Sequence, residues 1–429
     1  MQTFLQQASI FGLWGIDKEV RIPLDRQFNF LIGRNGTGKT TVINLLAAAL
    51  TADFEQLDKT QFSKITISLN EVSGRKKPSI EITKQAKAGL PYDNIEYKIR
   101  SSASSEPTVF DLDLITEERA YRGMPQRFMR DRTYRQKYVY IQSQLESMVS
   151  INWLSVHRAT RNDRTPEELR YATAIDQKLA DLNNSLVRYF SKLSSTYEEK
   201  AANFQKRSFL SLVSIQNDED LEGFVKSFDL EGEKTSLVSI FQLLGVEQSQ
   251  YKKNVDRVVQ DFDIARQKYL ERNPLLLSEL FAIATSFRTH SIVQLYERLQ
   301  EERKLIYSPA SKFIEVVNSL LAPRKKISIS SQNELIVEGS KDNRRIELDD
   351  LSSGEKQLLI ILGQALLQES ASVVFIADEP ELSLHVEWQE RLTPSIAELN
   401  PNAQIVFATH SPDIVGAYTN RIIDMETIA

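Results

Sequence analysis

The chain has 429 residues, of which 41% are hydrophobic and 26% charged, and it carries a formal net charge of −5. This length predicts two or three domain-sized units, and the composition is neither that of a disordered chain nor that of a membrane-embedded one. Because there is no cysteine, no secretory signal and no apolar stretch of roughly 20 residues, we expect a cytoplasmic protein without disulfides, thiol catalysis, cysteine metal sites or a membrane partner.

The first part of the chain is predicted to be rich in strands. The segments VRIPL (20–24) and FNFLIG (28–33) have the composition of strands, and GKTTVINLLAAAL (38–50) has that of a helix. Further short segments alternate or carry β-branched residues, and the first three of them indicate a small antiparallel sheet attached to the core. They are KITISL (64–69), SIEITK (79–84), IEYKIR (95–100), YVYIQ (138–142) and SINWLSV (150–156).

From Pro166 onward the apolar residues follow helical spacing. A first stripe runs over about three heptads and predicts a seam for a partner helix. A second stripe predicts another helix, and one interpretation is that the two helices pair as an antiparallel arm. The acidic, glycine-bearing segment 217–234 between them is predicted to be a turn region, with more helix up to about Leu321. The stripes are Ile175, Leu179, Leu182, Leu186, Phe190, Leu193 and Tyr197, and then Val255, Val258, Phe262, Ala265 and Tyr269.

Strand signals return after the helical segment and indicate that both ends of the chain build one core. Three short strands are predicted, followed by two apolar runs of the kind that a buried parallel sheet requires. We therefore predict an α/β core whose halves, residues 1–160 and 323–429, are separated by a helical insertion at residues 161–322. The later segments are KKISIS (325–330), NELIVEG (333–339), RRIEL (344–348), ASVVFIADEP (371–380) and AQIVFATHSP (403–412).

The segment GRNGTGKTT (33–41) satisfies the pattern G-x-x-x-x-G-K-[ST] between a predicted strand and a predicted helix. Its glycines let backbone N–H groups turn inward around a phosphate chain, and the helix that starts at Gly38 directs its positive end at the anion. Lys39 supplies positive charge to the β- and γ-phosphates, and the Thr40 hydroxyl is a ligand for Mg²⁺. The predicted nucleotide-binding residues here are Arg34, Asn35, Gly36, Thr37, Gly38, Lys39, Thr40 and Thr41.

Two carboxylates and one histidine follow the predicted parallel strands. Asp378 is placed to hold Mg²⁺ directly or through water, and Glu379 can polarise an attacking water as a general base. His410 follows the next apolar strand, and α/β sheets bind ligands at the ends of parallel strands, so we predict that His410 senses the γ-phosphate. The alternative interpretations are a pair of surface carboxylates and a structural or solvated histidine.

Four segments together resemble the motifs of ABC-type ATPases. They are GRNGTGKTT (33–41), LSSGEKQ (351–357), FIADEPE (375–381) and THS (409–411), in this order. The branch that they look like is the SMC/RecF/OLD branch, in which a helical arm splits the ATPase head. The resemblance implies an α/β fold, a P-loop NTPase head of the ABC type with an attached antiparallel sheet, interrupted by a short coiled-coil insertion.

The resemblance also implies that two heads sandwich two ATP molecules with Mg²⁺. The phosphate loop of one head would face the signature turn of the other, where Ser352 and Gly354 contact the γ-phosphate and Ser353 and Glu355 complete the nucleotide-binding turn. A serine hydroxyl, glycine N–H groups and a helix N-terminus make an anion site on physical grounds too, although a plain helix cap is the alternative. The roles carried over are phosphate and Mg²⁺ binding for Lys39 and Thr40, metal organisation for Asp378, water activation for Glu379 and the switch histidine for His410.

The sequence departs from the family pattern at three places. Ser353 stands where many members have glycine, and IFGLWGI (10–16) offers no basic residue of the kind that often reaches the nucleotide in this branch. The glutamine of the glutamine loop is assigned to Gln142, after the strand predicted at 138–142, with Gln144 as an alternative. The strand that precedes this position could equally well end in WLSVHR (153–158), with His157 or Arg158 as the residue there.

A basic segment between Arg119 and Lys137 carries seven Lys or Arg residues against one acid, with aromatic residues interleaved. This composition suits single-stranded nucleic acid, an acidic protein partner or a solvated helix face. Direct DNA binding through this segment would fit a RecF-like DNA-repair ATPase, which is the alternative to our main hypothesis.

Within the branch, the compact insertion looks like that of ATPase subunits of anti-phage defence systems of the PARIS or Septu kind. This resemblance implies a homo-oligomer built on ABC-type dimers that scaffolds or activates a separate effector, often a nuclease, with a viral protein as the candidate trigger. A self-contained nuclease of the OLD type is disfavoured, because we expect no trailing nuclease domain in the 19 residues after His410.

Overall fold

In the computed structural model, both ends of the chain build one compact unit and the middle builds another. The first unit comprises Met1–Val187 and Lys312–Ala429, and the second comprises Arg188–Ser311. The helices of the predicted insertion, residues 161–322, thus begin and end within the first unit. The structure describes residues 3–86, 93–111, 132–154, 174–213 and 218–428.

Six strands of the first unit form an antiparallel sheet. They are β1 (Thr3–Phe11), β2 (Glu19–Pro23), β4 (Lys64–Glu71), β5 (Ser79–Ala86), β6 (Asp93–Arg100) and β7 (Thr108–Asp111), in the order β2-β1-β4-β5-β6-β7. Alternation along β4 buries Ile65, Ile67 and Leu69 on one face, as expected of a sheet that covers a core on one side. The predicted antiparallel sheet is confirmed, and it is larger than expected because β1, β2 and β7 join it.

Five strands form a parallel sheet. They are β3 (Phe28–Ile32), β8 (Ser150–Leu154), β12 (Val373–Asp378), β13 (Gln404–Ala408) and β14 (Ile422–Asp424), in the order β14-β3-β13-β12-β8. In the register of this sheet Asp378 pairs with Ala408, and Ala408 pairs with Leu31. The residues that follow β12, β13 and β3 therefore meet at one edge, where parallel sheets bind ligands.

Helix α1 (Lys39–Thr51) lies between the two sheets. Its residues from Val42 to Leu50 are all buried, and they pack with core residues of both sheets, such as Ile67 and Val406. A helix that is buried on all sides is apolar all round, which agrees with the largely apolar composition of segment 38–50. Helix α2 (Phe54–Lys59) follows at once.

The rest of the first unit consists of a third sheet and further helices. A small sheet of β9 (Lys325–Ile329), β10 (Leu335–Gly339) and β11 (Arg345–Ile346) precedes four helices. The helices that follow it are α9 (Ser353–Leu367), α10 (Val386–Leu399), α11 (Pro412–Val415) and α12 (Met425–Ile428).

Helix α3 (Arg132–Met148) occupies the place of a predicted strand. The strand predicted at 138–142 is wrong, because Ile141 and Leu145 lie one helical turn apart and are both buried in the core. Helical spacing of these two apolar residues outweighs the β-branched and aromatic composition of the segment. The next predicted strand, at 150–156, is confirmed over Ser150–Leu154.

The described residues of the second unit are helical, and the helices pair differently from the prediction. The Tyr197 ring lies near Tyr307, and the Phe204 ring near Tyr296, with centroids 6.0 and 5.8 Å apart. The partner of the helix with the first stripe is therefore α8 (Leu277–Leu321), running antiparallel, and not the helix with the second stripe. The helices concerned are α4 (Ala174–Val213), α5 (Asp218–Ser227), α6 (Leu230–Leu243), α7 (Gln248–Leu270) and α8 (Leu277–Leu321).

The second stripe, on α7, packs instead on the segment that was predicted to be a turn. The Phe262 ring lies 5.4 Å from that of Phe224 and 4.6 Å from that of Phe228. The turn predicted at 217–234 is wrong, since burial of its aromatic residues outweighs its glycines and acidic charge. Helices α4 and α8 are 40 and 45 residues long, yet none of the helices described is apolar enough to cross a membrane.

Candidate active site

The Lys39 side chain lies inside the phosphate loop, residues 33–41, rather than in solvent. Its Nζ donates hydrogen bonds to the carbonyl oxygens of Gly33 and Arg34, at 2.9 and 3.1 Å, and the residue is 4% exposed. Burial lowers the pKa of Lys39, and nearby carboxylates, Glu379 first, oppose that shift. The ammonium group is thus held within the loop by two of the loop's own carbonyl oxygens.

The rest of the loop presents its backbone at the surface. Arg34, Asn35 and Gly36 are exposed, and the Thr37 hydroxyl donates to the Arg34 carbonyl at 2.9 Å. Glu426 of α12 accepts the backbone N–H of Arg34 at 3.0 Å, and the Arg34 guanidinium lies 3.6 Å from the same oxygen. The start of the loop is therefore held by α12, and its remaining exposed groups face outward.

Trp14 packs its indole ring over Gly38, a contact that was not predicted. A Cβ atom at Gly38 would clash with that ring, and the φ of 89° there also favours glycine. Trp14 itself has a φ of 56°, which is rare for a bulky residue and marks local strain. With 41% of the residue exposed, Trp14 presents an aromatic surface beside the phosphate loop. The sequence feature that could have indicated this contact is an aromatic residue between two glycines, Gly12 and Gly15.

Asp378, at the end of β12, meets the first turn of α1. The Thr40 hydroxyl donates a hydrogen bond to Asp378 Oδ1 at 3.1 Å. The next residue, Thr41, is half-buried. Burial raises the pKa of Asp378; the Thr40 hydrogen bond lowers it, and the charges of Glu379 and Glu381 raise it further. A bound cation would offset both the burial and the repulsion between carboxylates.

Glu379 and His410 face each other across the ends of β12 and β13. His410 Nε2 lies 3.9 Å from Glu379 Oε1, and the two side chains are 38% and 40% exposed. Glu379 has a φ of 49°, and its N–H donates to the Ala408 carbonyl at 2.8 Å. Gly33 and His410 line one cavity of about 280 Å³. The Glu379 and His410 side chains are too far apart for a hydrogen bond, so both remain open to a ligand.

Glu381 is a third carboxylate at this edge, and it was not among the site residues predicted from the sequence. Its Oε1 accepts hydrogen bonds from the Thr409 hydroxyl at 2.6 Å and from the His410 N–H at 2.9 Å. It thereby joins the turn after β12 to the end of β13. The signal was present in FIADEPE, where this acid follows Asp378 and Glu379.

The signature turn is a complete capping box at the start of α9. The Ser352 hydroxyl accepts the Glu355 N–H, and Glu355 Oε2 accepts the Ser352 N–H at 2.7 Å and the Lys325 ammonium at 2.8 Å. Although burial opposes it, hydrogen bonds from Lys325 and Ser352 hold the pKa of Glu355 below its usual value. The Glu355 carboxylate thus stabilises the turn through these hydrogen bonds, while Ser352 and Ser353 are exposed.

Gly354 of the same turn is buried against its own chain. A Cβ atom there would clash with the carbonyl oxygen of Ser383, in the turn that follows β12. Glycine is therefore required at this position for packing, whatever the turn binds. Contact with a γ-phosphate by Ser352, Ser353 and Gly354 stays a prediction.

Gln142 is not brought to the site. It lies in α3, and its Nε2 is 3.5 Å from the carbonyl oxygen of Thr51. Thr51 ends the 13-residue helix that Lys39 begins, so the two are about 18 Å apart. The structure thus places Gln142 away from the phosphate loop, because its segment is helical, and Gln144 lies in the same helix. His157 and Arg158 are outside the described residues, as are most of the basic segment and the side chains of its remainder, 132–137.

The side chains at the edge fit a nucleotide-bound Mg²⁺ better than a resident metal. Within the described ranges, no group of three or more His, Asp or Glu side chains could hold a metal ion. The Thr40 hydroxyl and the Asp378 carboxylate instead match Mg²⁺, which takes one or two carboxylates and completes its shell with water and substrate phosphates.

Residues 28–416 match the family described as "AAA domain, putative AbiEii toxin, Type IV TA system". The match spans the phosphate loop, the helical segment, the signature turn and the strand ends that carry Asp378 and His410.

Two curated proteins are similar to parts of the chain. Retron Vc95 probable ATPase, from Vibrio cholerae serotype O1 biovar El Tor, is 25% identical over 134 residues, which are 29% of this chain and 26% of that protein. Retron Ec83 probable ATPase, from Escherichia coli, is 27% identical over 170 residues, which are 35% of this chain and 31% of that protein. The chain thus spans less than a third of the length of these relatives.

Among solved structures, the Smc head domain with an extended coiled coil bound to the C-terminal domain of ScpA, from Pyrococcus furiosus, aligns with a TM-score of 0.43. It is 13% identical, and the alignment covers 96% of this chain and 91% of that chain.

Proposed function

The chain belongs to this AAA-domain family, and on that premise we propose that it binds ATP with Mg²⁺ and hydrolyses it to ADP and phosphate. The register of the parallel sheet is the main support, because it brings the phosphate loop, Asp378 and His410 to one edge. The family match and the names of both relatives support the predicted enzyme class, an ATPase.

Each residue at the edge has its own part in this reaction. The N–H groups of the loop and the N-terminus of α1 bind phosphate oxygens, and Lys39 neutralises charge on the γ-phosphate. When bound with the nucleotide, Mg²⁺ supplies a Lewis acid that polarises the phosphates, and Thr40 and Asp378 would hold it. Glu379 takes a proton from the attacking water, and His410 hydrogen-bonds the γ-phosphate.

The proposal includes an ATP site shared between two copies of the chain, as the resemblance implies. Ser352 and Ser353 are exposed at the N-terminus of a 15-residue helix. No hydrogen bond or ion pair in the described part of the chain joins that turn to its own phosphate loop. Exposed hydroxyls at a helix N-terminus suit an anion that a second copy presents. In such a site Gly354 and Glu355 would act by packing and capping.

The wider role in the proposal is a switch in prokaryotic antiviral defence. ATP-dependent association of heads would control a separate effector protein, with a nuclease as the first candidate and a viral protein as the trigger. The family description refers to a toxin system, and the relatives' names refer to retrons, which supports a system of several components. The resemblance to PARIS or Septu ATPases stays a prediction.

The purified chain is the test of the ATPase proposal. We expect phosphate release from Mg·ATP, and we expect Lys39→Ala to weaken ATP binding on the order of 10–100-fold, since it removes a charged hydrogen-bond donor. Lys304→Ala, at an exposed lysine of the second unit, is the matched control and should behave as the unchanged protein. An unchanged chain that neither binds nor hydrolyses ATP would remove the proposal.

A further inference from the structure

Glu381 has a carboxylate oxygen that the reaction described above does not use. Its Oε2 is buried and has no hydrogen-bond partner within the described residues, while its Oε1 accepts two hydrogen bonds. A carboxylate can accept about four hydrogen bonds, and leaving a buried acceptor unpaired costs about 1–3 kcal/mol. In native proteins such an atom has a partner in water, an ion or a ligand.

An unpaired oxygen alone is not a site, because Glu233 in the second unit also has one. The surroundings distinguish Glu381. Its charge raises the pKa of Asp378 and opposes the lowering of the pKa of Lys39. The Glu381 carboxylate is therefore within electrostatic range of both the group that would hold the cation and the group that would hold the phosphate.

The other oxygen, Oε1, is hydrogen-bonded to residues that follow β13. The Thr409 hydroxyl donates to it and in turn accepts the Ser411 N–H at 2.9 Å, and Thr409 is fully buried. The Thr409 N–H also donates to the carbonyl of Leu31, at the end of β3. The position of His410, whose N–H donates to the same Oε1, thus depends on this carboxylate.

The backbone of Glu381 is held firmly as well. Gln357 of α9, which is 1% exposed, donates its side-chain amide to the Pro380 carbonyl at 2.8 Å. The Leu384 N–H donates to the Glu381 carbonyl at 2.9 Å. With its backbone and one oxygen fixed, the carboxylate leaves only Oε2 for a ligand.

We propose that Glu381 is a positioning residue for the ATP reaction, in which Oε1 places His410 and Oε2 accepts a hydrogen bond from water that accompanies the nucleotide and Mg²⁺. A contact through water fits the finding that no cluster of three acidic or histidine side chains exists among the described residues for direct metal binding. Groups that orient metal ligands from outside the first shell affect metal affinity by about 10–100-fold. The inference rests on the proposed function.

The test is nucleotide affinity measured with and without Mg²⁺, with a fluorescent ATP analogue titrated into buffer containing either Mg²⁺ or EDTA. Glu381→Gln keeps a carbonyl oxygen for Thr409 and His410 but removes the charge. We expect the gain in affinity that Mg²⁺ confers to fall about tenfold, with affinity in EDTA unchanged. Glu233→Gln is the matched control, since it alters another buried carboxylate with an unpaired oxygen, and it should keep the full gain.

An equal loss of affinity in Mg²⁺ and in EDTA would mean a structural role and would overturn the inference, as would no change in either. If the unchanged chain binds no nucleotide, the proposed function fails first, and that outcome is distinct. Thr409→Val tests the division of roles by a second route, because it removes a donor to Oε1 and leaves Oε2 alone. Thr409→Val should lower turnover about tenfold, while Mg²⁺ should still raise the nucleotide affinity by the full amount. Loss of that increase in affinity would contradict the separate roles of Oε1 and Oε2.

Discussion

Among the described residues, two glutamate–histidine pairs occur, one in each unit, and they are built differently. In the second unit, Glu233 Oε2 lies 2.7 Å from His290 Nδ1, and Gln294 binds the other ring nitrogen at 2.9 Å. In the first unit, Glu379 and His410 are 3.9 Å apart at the sheet edge, and both are more than a third exposed.

The pair to which we assign a function is the open one, so close contact between the two side chains is not what distinguishes it. Both ring nitrogens of His290 have partners within the protein, and the Phe224 and Phe228 rings lie 5.4 Å from the imidazole. Burial raises the pKa of Glu233, and the His290 hydrogen bond opposes that rise. The second-unit pair therefore joins helices, whereas the first-unit pair keeps its polar groups open beside the phosphate loop.

Substituting the two glutamates in turn is the strongest way to break this comparison. Glu379→Gln removes the proposed general base, so turnover should fall by about 10²–10⁴-fold while Mg·ATP still binds. Glu233→Gln is the same change in the other pair and should leave turnover unaltered. Steady-state phosphate release and ATP binding measured on both variants check this. Equal rates in the two variants would remove Glu379 as the base.

For the two histidines, the larger effect is expected in the second unit, and it is an effect on stability rather than on turnover. His290→Ala leaves buried Glu233 without its partner, so the second unit should lose about 1–3 kcal/mol of unfolding free energy. His410→Ala, at an exposed side chain, should leave stability within about 0.5 kcal/mol. Urea unfolding with hydrogen exchange followed in α6 and α8 separates the two. A destabilisation of α6 and α8 by His410→Ala would contradict the assignment.

A smaller effect is expected at Trp14, the exposed aromatic residue beside the open pair. If its indole ring stacks on the nucleotide base, Trp14→Ala should weaken ATP binding by about 2–12-fold without changing turnover at saturation. Phe11→Ala, at an exposed aromatic residue three positions earlier on β1, is the control and should bind normally. Fluorescent-nucleotide titration measures both, and identical affinities would exclude stacking.

The strand and the helix on either side of the phosphate loop could be predicted from the sequence because the whole segment is contiguous. Asp378, Glu379 and His410 could be placed at the edge of the sheet because they lie at or just after the ends of two apolar runs, which the buried parallel sheet requires. Trp14 and Glu381 were missed because their roles arise from contacts with Gly38 and Thr409, far away in the chain.

The failures of prediction have physical reasons too. A run of four apolar and aromatic residues, 138–141, does not distinguish a strand from a helix, which is why Gln142 was assigned to the end of a strand. The stripe of α4 showed that the helix has a partner but not which one, and α8 proved to be that partner. Burial of Phe224 and Phe228 decided the fold of the segment predicted to be a turn.

Whether each ATP site is shared between two copies is tested most directly by mixing two inactive variants. Ser352→Arg disables the signature turn, and Lys39→Ala disables the phosphate loop. In a random mixture half of the dimers are mixed, and each mixed dimer has one intact site, so ATPase activity should return to about a quarter of that of the unchanged protein. Mixed dimers that form but remain inactive would contradict the shared site and leave the turn at Ser352 as a helix cap alone.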